Sequence, residues 1–346
     1  MTGEGFDLPS TDNLPVVADA YGLGTVYSGR YLAEGLLNRN WRITTDKGTF
    51  ALKEVVNTPV DKLRRSLAVL GELEATGLPV CAPYLSLAGE PVVTVGERSY
   101  CLLPWVEGEH RPGAELQESE ATSLGVLLGR IHRGLADPAL PLGEVGERPR
   151  AKVTAPEAAL AEAERFLRLI AQLDTPGAFD QATERALKQR TKLIAEHAEQ
   201  RPADEWPRGP WGWTHGDFQP LNLLWRHEAV AAVIDWDRLG IRPYGEEVVR
   251  TAQVQFGTAA GHLDLQLVAA FVAGYRSQQN LADEDLVDAI ERLWWKRMTD
   301  YWQLQFHYDK SDFGADALWE SGERLIAWWT QDRDAVRSAF LGNPAR

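Results

Sequence analysis

The stretch HGDFQPLN at residues 215–222 is followed by two short apolar runs and then by IDW at residues 234–236. The runs cover 221–225 and 229–234, and the three residues between them are polar. This pattern predicts a β-hairpin of two buried strands. Because a hairpin returns the chain to the end where it started, we expect Asn222 and Asp235 to become neighbours in space.

Three side chains of these stretches suit phosphoryl transfer from a nucleotide. Asn222 and Asp235 would supply the oxygen ligands that Mg²⁺ prefers, and this metal usually takes one or two carboxylates from a protein. Asp217 would face the hydroxyl group to be phosphorylated. Little else is required, because positioning and charge neutralisation provide most of the rate. The alternative is that His215, Asp217 and Asn222 only form turns, where Asp and Asn are common.

The segment resembles the catalytic loop of the aminoglycoside phosphotransferase and choline kinase family, whose folds are similar to protein kinases. His215, Asp217, Asn222 and Asp235 match the family's pattern of His-x-Asp, four residues, Asn and a later Asp. The resemblance implies Asp217 as catalytic base or hydroxyl-orienting group, and Asn222 and Asp235 as magnesium ligands. It implies that His215 holds the shape of the loop.

The resemblance implies an α+β fold with two lobes, as in protein kinases. We predict a loose N-terminal tail at 1–15 and a small, mainly antiparallel β N-lobe at 16–103, which would bind the nucleotide. The larger helical C-lobe at 104–346 would hold the hinge, the catalytic loop and the acceptor-binding helices. The chain has 346 residues, and chains longer than about 250–300 residues tend to split into two units.

Lys53 ends an alternating apolar and polar run at 49–53, which predicts a half-buried strand. The resemblance implies that Lys53 contacts the α and β phosphates of ATP, and the alternative is an ordinary solvent-facing lysine. In the family, a helical glutamate often pairs with this lysine. The predicted helix at 60–76 has Ser66 or Arg65 at that point instead, so the partner of Lys53 stays open.

Two further segments are predicted to bind the nucleotide. Gly35 and Asn38 match a Gly-x-x-Asn turn of the family, whose backbone N–H groups could lie near phosphate. Leu103, Trp105 and Val106 resemble the hinge that hydrogen-bonds adenine, with the N–H donors coming from Trp105 or Val106. A plain hairpin turn and a plain strand end are the alternatives.

The remainder reads as helical. We predict a helix at 116–135 with His132 on its apolar face, two helices within 155–200, and helices at 248–255, 262–279, 283–308 and 316–340. Six of the thirteen tryptophans lie in the last two of these segments. At helical spacing such residues are mostly core, although some could line an acceptor pocket.

Composition limits the partners. The net charge is −14, which makes nucleic acid an unexpected partner because binding it needs a basic surface. The sequence contains no run of 18 apolar residues, so we expect no membrane span. The N-terminal residues do not resemble a signal peptide. The two cysteines are too few for a disulfide scaffold. We therefore expect a cytoplasmic protein with reduced, buried thiols.

The leading prediction is an ATP-dependent kinase, with Mg²⁺ as cofactor, that phosphorylates a hydroxyl group of a small molecule such as an aminoglycoside-like antibiotic, a sugar or an amino alcohol. GTP as the nucleotide stays open, and the acidic chain could attract a cationic acceptor. The alternatives are a Ser/Thr kinase of peptides or proteins and a nucleotide-binding module without turnover. Gln219 stands where protein kinases have a lysine, which favours a small molecule.

Overall fold

The computed structural model describes residues 13–32, 38–56 and 58–343. The strands are β1 (Val26–Leu32), β2 (Arg39–Thr45), β3 (Gly48–Val55), β4 (Val92–Val95), β5 (Arg98–Pro104), β6 (Trp211–Thr214), β7 (Leu223–Arg226), β8 (Ala229–Val233) and β9 (Gly240–Pro243). The α-helices are α1 (Asn13–Ala20), α2 (Val60–Ala68), α3 (Leu70–Ala75), α4 (Glu118–Leu135), α5 (Pro156–Ala171), α6 (Ala178–His197), α7 (Tyr244–Gln255), α8 (Leu265–Arg276), α9 (Asp283–Thr299), α10 (Trp302–Leu304), α11 (Asp316–Gln331) and α12 (Arg333–Phe340).

Five strands form an antiparallel sheet in the order β1-β2-β3-β5-β4. Alternate residues of β2 and β3 face a core that includes Trp41, Ile43 and Leu52, against which α1 packs. This alternation is what a sheet with one buried face requires. The predicted α+β class is confirmed, with an antiparallel sheet near the N-terminus followed by mainly helical structure.

The chain forms two compact units. The first comprises the described residues up to Arg111, together with Arg133–Val145 and His215–Gly240, and it contains the five-stranded sheet and the antiparallel hairpin of β7 and β8. The second comprises Pro112–His132, Gly146–Thr214 and the described residues from Ile241 onward. The predicted lobe ranges 16–103 and 104–346 stay a prediction.

Several predicted boundaries differ from the structure. Most of the predicted tail lies outside the described residues, and α1 begins at Asn13, inside that tail. The predicted helix 60–76 is two helices separated at Val69. The predicted helix 283–308 ends at Thr299, because Asp300 has an extended backbone with φ −102° and ψ 133°. The predicted helix 316–340 is interrupted at Asp332, where φ is −108° and ψ is 29°.

His132 lies fully buried in the second unit, as predicted for a core histidine. Its Nε2 is 2.6 Å from Oε2 of Glu247, and its Nδ1 is 2.9 Å from the hydroxyl of Tyr275. The imidazole also stacks on the Tyr244 ring at 4.5 Å between centroids. Buried polar groups need such partners, so His132 ties α4 to α7 and α8.

Most tryptophans of the last helices are core residues. Trp294, Trp295, Trp319 and Trp329 are buried. The indole N–H of Trp294 donates to Thr330, and that of Trp295 donates to the carbonyl of Thr154. Within the described ranges, no helix has the length and apolar character needed to cross a membrane.

Candidate active site

The loop 215–222 is shaped by Gly216 and His215. Gly216 has a φ of 81°, in the left-handed region that glycine adopts without steric cost. This turn lets the backbone N–H of Asp217 donate to Nδ1 of His215 at 3.2 Å. Because Nδ1 accepts, the proton lies on Nε2, which is 3.1 Å from the carbonyl oxygen of Ile234 and donates to it. His215 therefore links the loop to the end of β8.

The hairpin brings its two predicted metal ligands to one end. Pro220 opens a 3-10 turn, Pro220–Asn222, so β7 starts at Leu223, two residues later than predicted. The N–H of Ile234 donates to the carbonyl of Asn222 at 2.9 Å. Asn222 and the residue after Ile234, Asp235, are therefore close, as the hairpin argument predicted.

Asp235 has a left-handed backbone, with φ 61° and ψ 66°. Among non-glycine residues, Asp and Asn adopt this conformation most readily. The turn ends β8 and starts the 3-10 turn Trp236–Arg238. It sets the direction of the Asp235 side chain, which is 41% exposed.

Asp217 and Asn222 are bonded to each other and buried. The Asn222 amide nitrogen donates to the backbone carbonyl of Asp217 at 2.8 Å. The same nitrogen lies 3.4 Å from Oδ2 of the Asp217 carboxylate. Gln219 also donates to Oδ2, at 3.1 Å. The guanidinium of Arg238 lies 3.9 Å from Oδ1 of Asp217. The carboxylate of Asp217 is thus held in place and has a cation beside it.

Lys53 is buried and bonded to two carboxylates. Its Nζ lies 2.8 Å from Oδ1 of Asp235 and 2.6 Å from Oδ1 of Asp237. Asp237 is itself buried, and its Oδ2 accepts from the Asn38 amide at 2.7 Å and from the Thr58 hydroxyl at 3.2 Å. Asp237 is the partner of Lys53 that the sequence left open. Its signal in the sequence was a second acidic residue two positions after Asp235.

Electrostatics keep Lys53 and Asp235 ionised. Burial alone would lower the pKa of Lys53, but Asp235 and Asp237 outweigh it and hold that pKa above its usual value. Burial would likewise raise the pKa of Asp235, but the Lys53 ammonium outweighs it and lowers that pKa. Both effects favour the charged forms, so the ion pair between Lys53 and Asp235 persists through the neutral range.

The side chains fit a divalent metal of the oxygen-preferring type. Because the Asn222 amide nitrogen is used by Asp217, its Oδ1 is directed elsewhere, and no described residue donates to it. Oδ2 of Asp235 likewise receives no hydrogen bond from the described residues, since Lys53 is bonded to Oδ1. Within the same residues, no group of three or more His, Cys, Asp and Glu could hold a metal. One amide and one carboxylate suit Mg²⁺ completed by phosphate and water.

The structure describes some of the predicted nucleotide-binding residues and leaves out others. Gly35 lies outside the described residues. Asn38 is buried, and its carbonyl oxygen accepts from the N–H of Val56 at 3.1 Å, so it also fixes the end of β3. Leu103 pairs with Ala51 in the sheet, two residues from Lys53.

The predicted hinge follows directly on β5. Trp105 and Val106 are half-buried, and their N–H groups make no backbone hydrogen bond to the described residues. The Trp105 indole donates to Glu107 at 2.8 Å, and Arg42 lies over its ring. Backbone N–H groups that form no backbone hydrogen bond suit adenine, and the hinge stays a prediction.

Comparisons with known proteins give one family match and several relatives. The family model described as the phosphotransferase enzyme family, APH, matches residues 28–289. A homoserine kinase of Zymomonas mobilis is 30% identical over 115 residues, which is 32% of this chain and 35% of that protein. A homoserine kinase of Beijerinckia indica is 23% identical over 279 residues, which is 80% of this chain and 79% of that protein. The match to the first relative thus spans about a third of its length.

Solved structures with a similar fold include a spectinomycin phosphotransferase in complex with ADP and spectinomycin. The TM-score is 0.61 at 14% identity, and the alignment covers 97% of this chain and 99% of that one. At this identity the likeness concerns the fold, and it agrees with the predicted kinase-like architecture.

Proposed function

We propose that this chain, which belongs to the phosphotransferase enzyme family, APH, is a kinase that moves the γ-phosphate of ATP to the hydroxyl of a hydroxy amino acid such as homoserine. One observation carries the proposal. One compact unit contains two hydrogen-bonded pairs, Lys53 with Asp235 and Asp217 with Asn222. The homoserine kinases among the relatives support the class of acceptor.

Asp217 is proposed to act on the acceptor hydroxyl. Its carboxylate would accept the hydroxyl proton while the acceptor oxygen bonds to the γ-phosphorus and the bond to ADP breaks. Gln219 and Asn222 hold Oδ2 and the loop. Arg238, 3.9 Å from Oδ1, adds positive charge where a phosphoryl group would carry negative charge.

Lys53, Asn222 and Asp235 are proposed to bind the nucleotide. Lys53 would contact the α and β phosphates as a point charge. Asn222 Oδ1 and Asp235 Oδ2 would hold Mg²⁺, which when bound neutralises the charge of the phosphate oxygens. Asp235 would then share its carboxylate between Lys53 and the metal. Asp237 would keep Lys53 in position, because it stays bonded to Asn38 and Thr58.

Ion pairs within the second unit weaken the case for an acceptor that is purely cationic. Glu162 of α5 and Asp309, which follows α10, both pair with Arg165, at 2.7 Å and 2.8 Å. Charges that are already neutralised attract a cation weakly. A hydroxy amino acid carries an ammonium group and a carboxylate, so it does not depend on a strongly acidic site.

The direct test is an acceptor screen with the purified chain, ATP and Mg²⁺, and with GTP in parallel. We would measure ADP release with homoserine, choline, sugars, aminoglycosides, macrolides and Ser/Thr peptides, and identify products by mass spectrometry. Phosphorylated homoserine is expected, and the Asp217→Asn variant is the blank. Turnover with peptides alone would favour the Ser/Thr kinase. Nucleotide binding without turnover on any acceptor would favour a non-catalytic module.

A further inference from the structure

The face of the five-stranded sheet that turns away from the core carries Lys53. Strands β2 and β3 direct Trp41 and Leu52 into the core. Because alternate residues of a strand point to opposite sides, Asn40 and Lys53 face the other way. Asn40 of β2 stands directly opposite Lys53 of β3 in the antiparallel register. Side chains opposed in this way share one face, with Cβ atoms about 4.5–5.5 Å apart, so Asn40 is an immediate neighbour of Lys53.

The side chain of Asn40 is half-buried, and it forms no hydrogen bond with any residue that the structure describes. Its amide group offers two N–H donors and one acceptor oxygen. Asn38, two residues earlier, differs, because its Nδ2 donates to Asp237 at 2.7 Å and its Oδ1 accepts from the N–H of Val56 at 3.1 Å. Both ends of the Asn38 amide are thus used within the protein, whereas the described residues leave the donors of Asn40 to a ligand.

Lys53 alone has few donors for the α and β phosphates. An ammonium group has three N–H donors, and two of them are directed at Asp235 and Asp237, at 2.8 Å and 2.6 Å. One donor is left for a ligand, whereas two phosphates present several charged oxygens. A second donor on the same face would complete the contact. Two residues stand opposite Lys53 in the sheet: Asn40 on β2 has a good donor, and Cys101 on β5 has a weak one.

We propose that the side-chain amide of Asn40 donates to a phosphate oxygen of the bound nucleotide, beside the oxygen that Lys53 contacts. The inference rests on the proposed function, in which Lys53 binds the α and β phosphates, and it adds Asn40 as a second phosphate-binding residue. Asn38 then acts through Asp237, as a positioning residue. A hydrogen bond to a charged group is stronger than one between neutral groups, and the amide supplies it without bringing another charge into the site.

The test compares two ligands that differ in their phosphates. ADP carries the α and β phosphates, and adenosine carries neither. Binding of ADP to the full chain would be measured by calorimetry with Mg²⁺ and without an acceptor, and binding of adenosine by displacement of ADP. Asn40→Ala should weaken ADP binding about tenfold, as expected for the loss of one hydrogen bond to a charged group, and should leave adenosine binding unchanged. A general loss of structure would weaken the binding of both ligands.

Two further variants sharpen the test. Asn40→Asp keeps the size of the side chain but replaces its donors by a carboxylate, which repels phosphate. It should weaken ADP binding more than Asn40→Ala does and still leave adenosine binding unchanged. Thr44→Ala is the matched control, because Thr44 lies four residues further along β2 and faces the same side, about 13 Å from Asn40. This variant should bind both ligands as wild type does.

Different results overturn different statements. Wild-type ADP affinity in Asn40→Ala, together with weakened ADP binding in Lys53→Ala, would reject the role of Asn40 and keep the proposed nucleotide site. An equal loss of ADP and adenosine affinity in Asn40→Ala would also reject the contact with phosphate, since adenosine has none. If ADP binding alone depends on Asn40 but no hydroxy amino acid is phosphorylated, the inference stands and the proposed acceptor is rejected.

Discussion

The ammonium of Lys53 is bonded to Asp237 at 2.6 Å, a carboxylate 184 residues away in the chain. Ser66 of α2, at the point where the family often has a glutamate, donates instead to the carbonyl of Lys62. Asp237 belongs to the turn just after Asp235, so the partner of Lys53 and a predicted metal ligand lie on the same turn. A change at either aspartate is therefore felt by Lys53.

We predict that Asp237→Asn raises the apparent KM for ATP more than that for the acceptor. The amide keeps the size but removes the fixed negative charge, and a hydrogen bond to a charged group contributes about 1.5–3 kcal/mol. Lys53→Ala should raise KM for ATP at least as much. Asp61→Asn, on the exposed face of α2, is the control. An ATP KM equal to wild type in Asp237→Asn would show that Asp235 alone positions the lysine.

The Asp217→Asn variant should lose turnover but keep nucleotide binding. Loss of a general base costs about 10²–10⁴-fold in rate, whereas Lys53, the proposed phosphate ligand, is hydrogen-bonded to Asp235 and Asp237. Calorimetry with Mg-ATP measures binding, and ADP release measures turnover. Gln219→Ala, which removes one donor to Oδ2, should have the smaller effect. Turnover of Asp217→Asn close to wild type would reject the base.

Asp235→Asn should weaken metal-nucleotide binding more than Asn222→Ala. The first change removes a charged ligand and keeps a residue that tolerates the left-handed backbone, and the second removes only a neutral amide. Titration of nucleotide binding with Mg²⁺, or with Mn²⁺ followed by electron paramagnetic resonance, gives the metal affinity directly. If both variants keep the wild-type metal affinity, the two side chains do not hold the metal.

Glu247→Ala should destabilise the second unit. It leaves His132 without its 2.6 Å partner in a fully buried place, and removal of one member of a buried polar pair costs about 3 kcal/mol. Urea denaturation would measure the change. Glu246→Ala is the matched control, since Glu246 is more exposed and lies 3.8 Å from Lys296, where an ion pair contributes about 0–1 kcal/mol. Equal effects would reject the importance of the His132 bond.

Neither thiol should react in the native chain at pH 8. Cys81 and Cys101 are free and buried, and burial raises their pKa to about 11 and about 12. Their thiolate fraction at pH 8 is therefore far below that of an ordinary cysteine, whose pKa is about 8.5. A colorimetric disulfide reagent should detect no thiol before denaturation and both thiols after it. Fast labelling of the native chain would contradict the burial.

The parts of the site that depend on local patterns could be predicted from sequence. Two apolar runs around a polar turn were sufficient for the hairpin that joins Asn222 to Asp235. The bond between Lys53 and Asp237 was not predictable, because it depends on how β3 and the turn after β8 approach each other. The end of α9 was also missed, since the extended backbone of a single residue, Asp300, leaves the helical spacing of its neighbours intact.

The left-handed backbone at Asp235 also limits how this position can evolve. Glutamate would keep the charge, but it lacks the short side chain that makes this conformation accessible to Asp and Asn. Asparagine would keep the backbone and lose the charge, and glycine would keep only the backbone. Each of these three substitutions therefore loses either the negative charge or the ready access to a left-handed backbone. We expect mutational scanning to find this position intolerant even of substitutions that preserve charge or size.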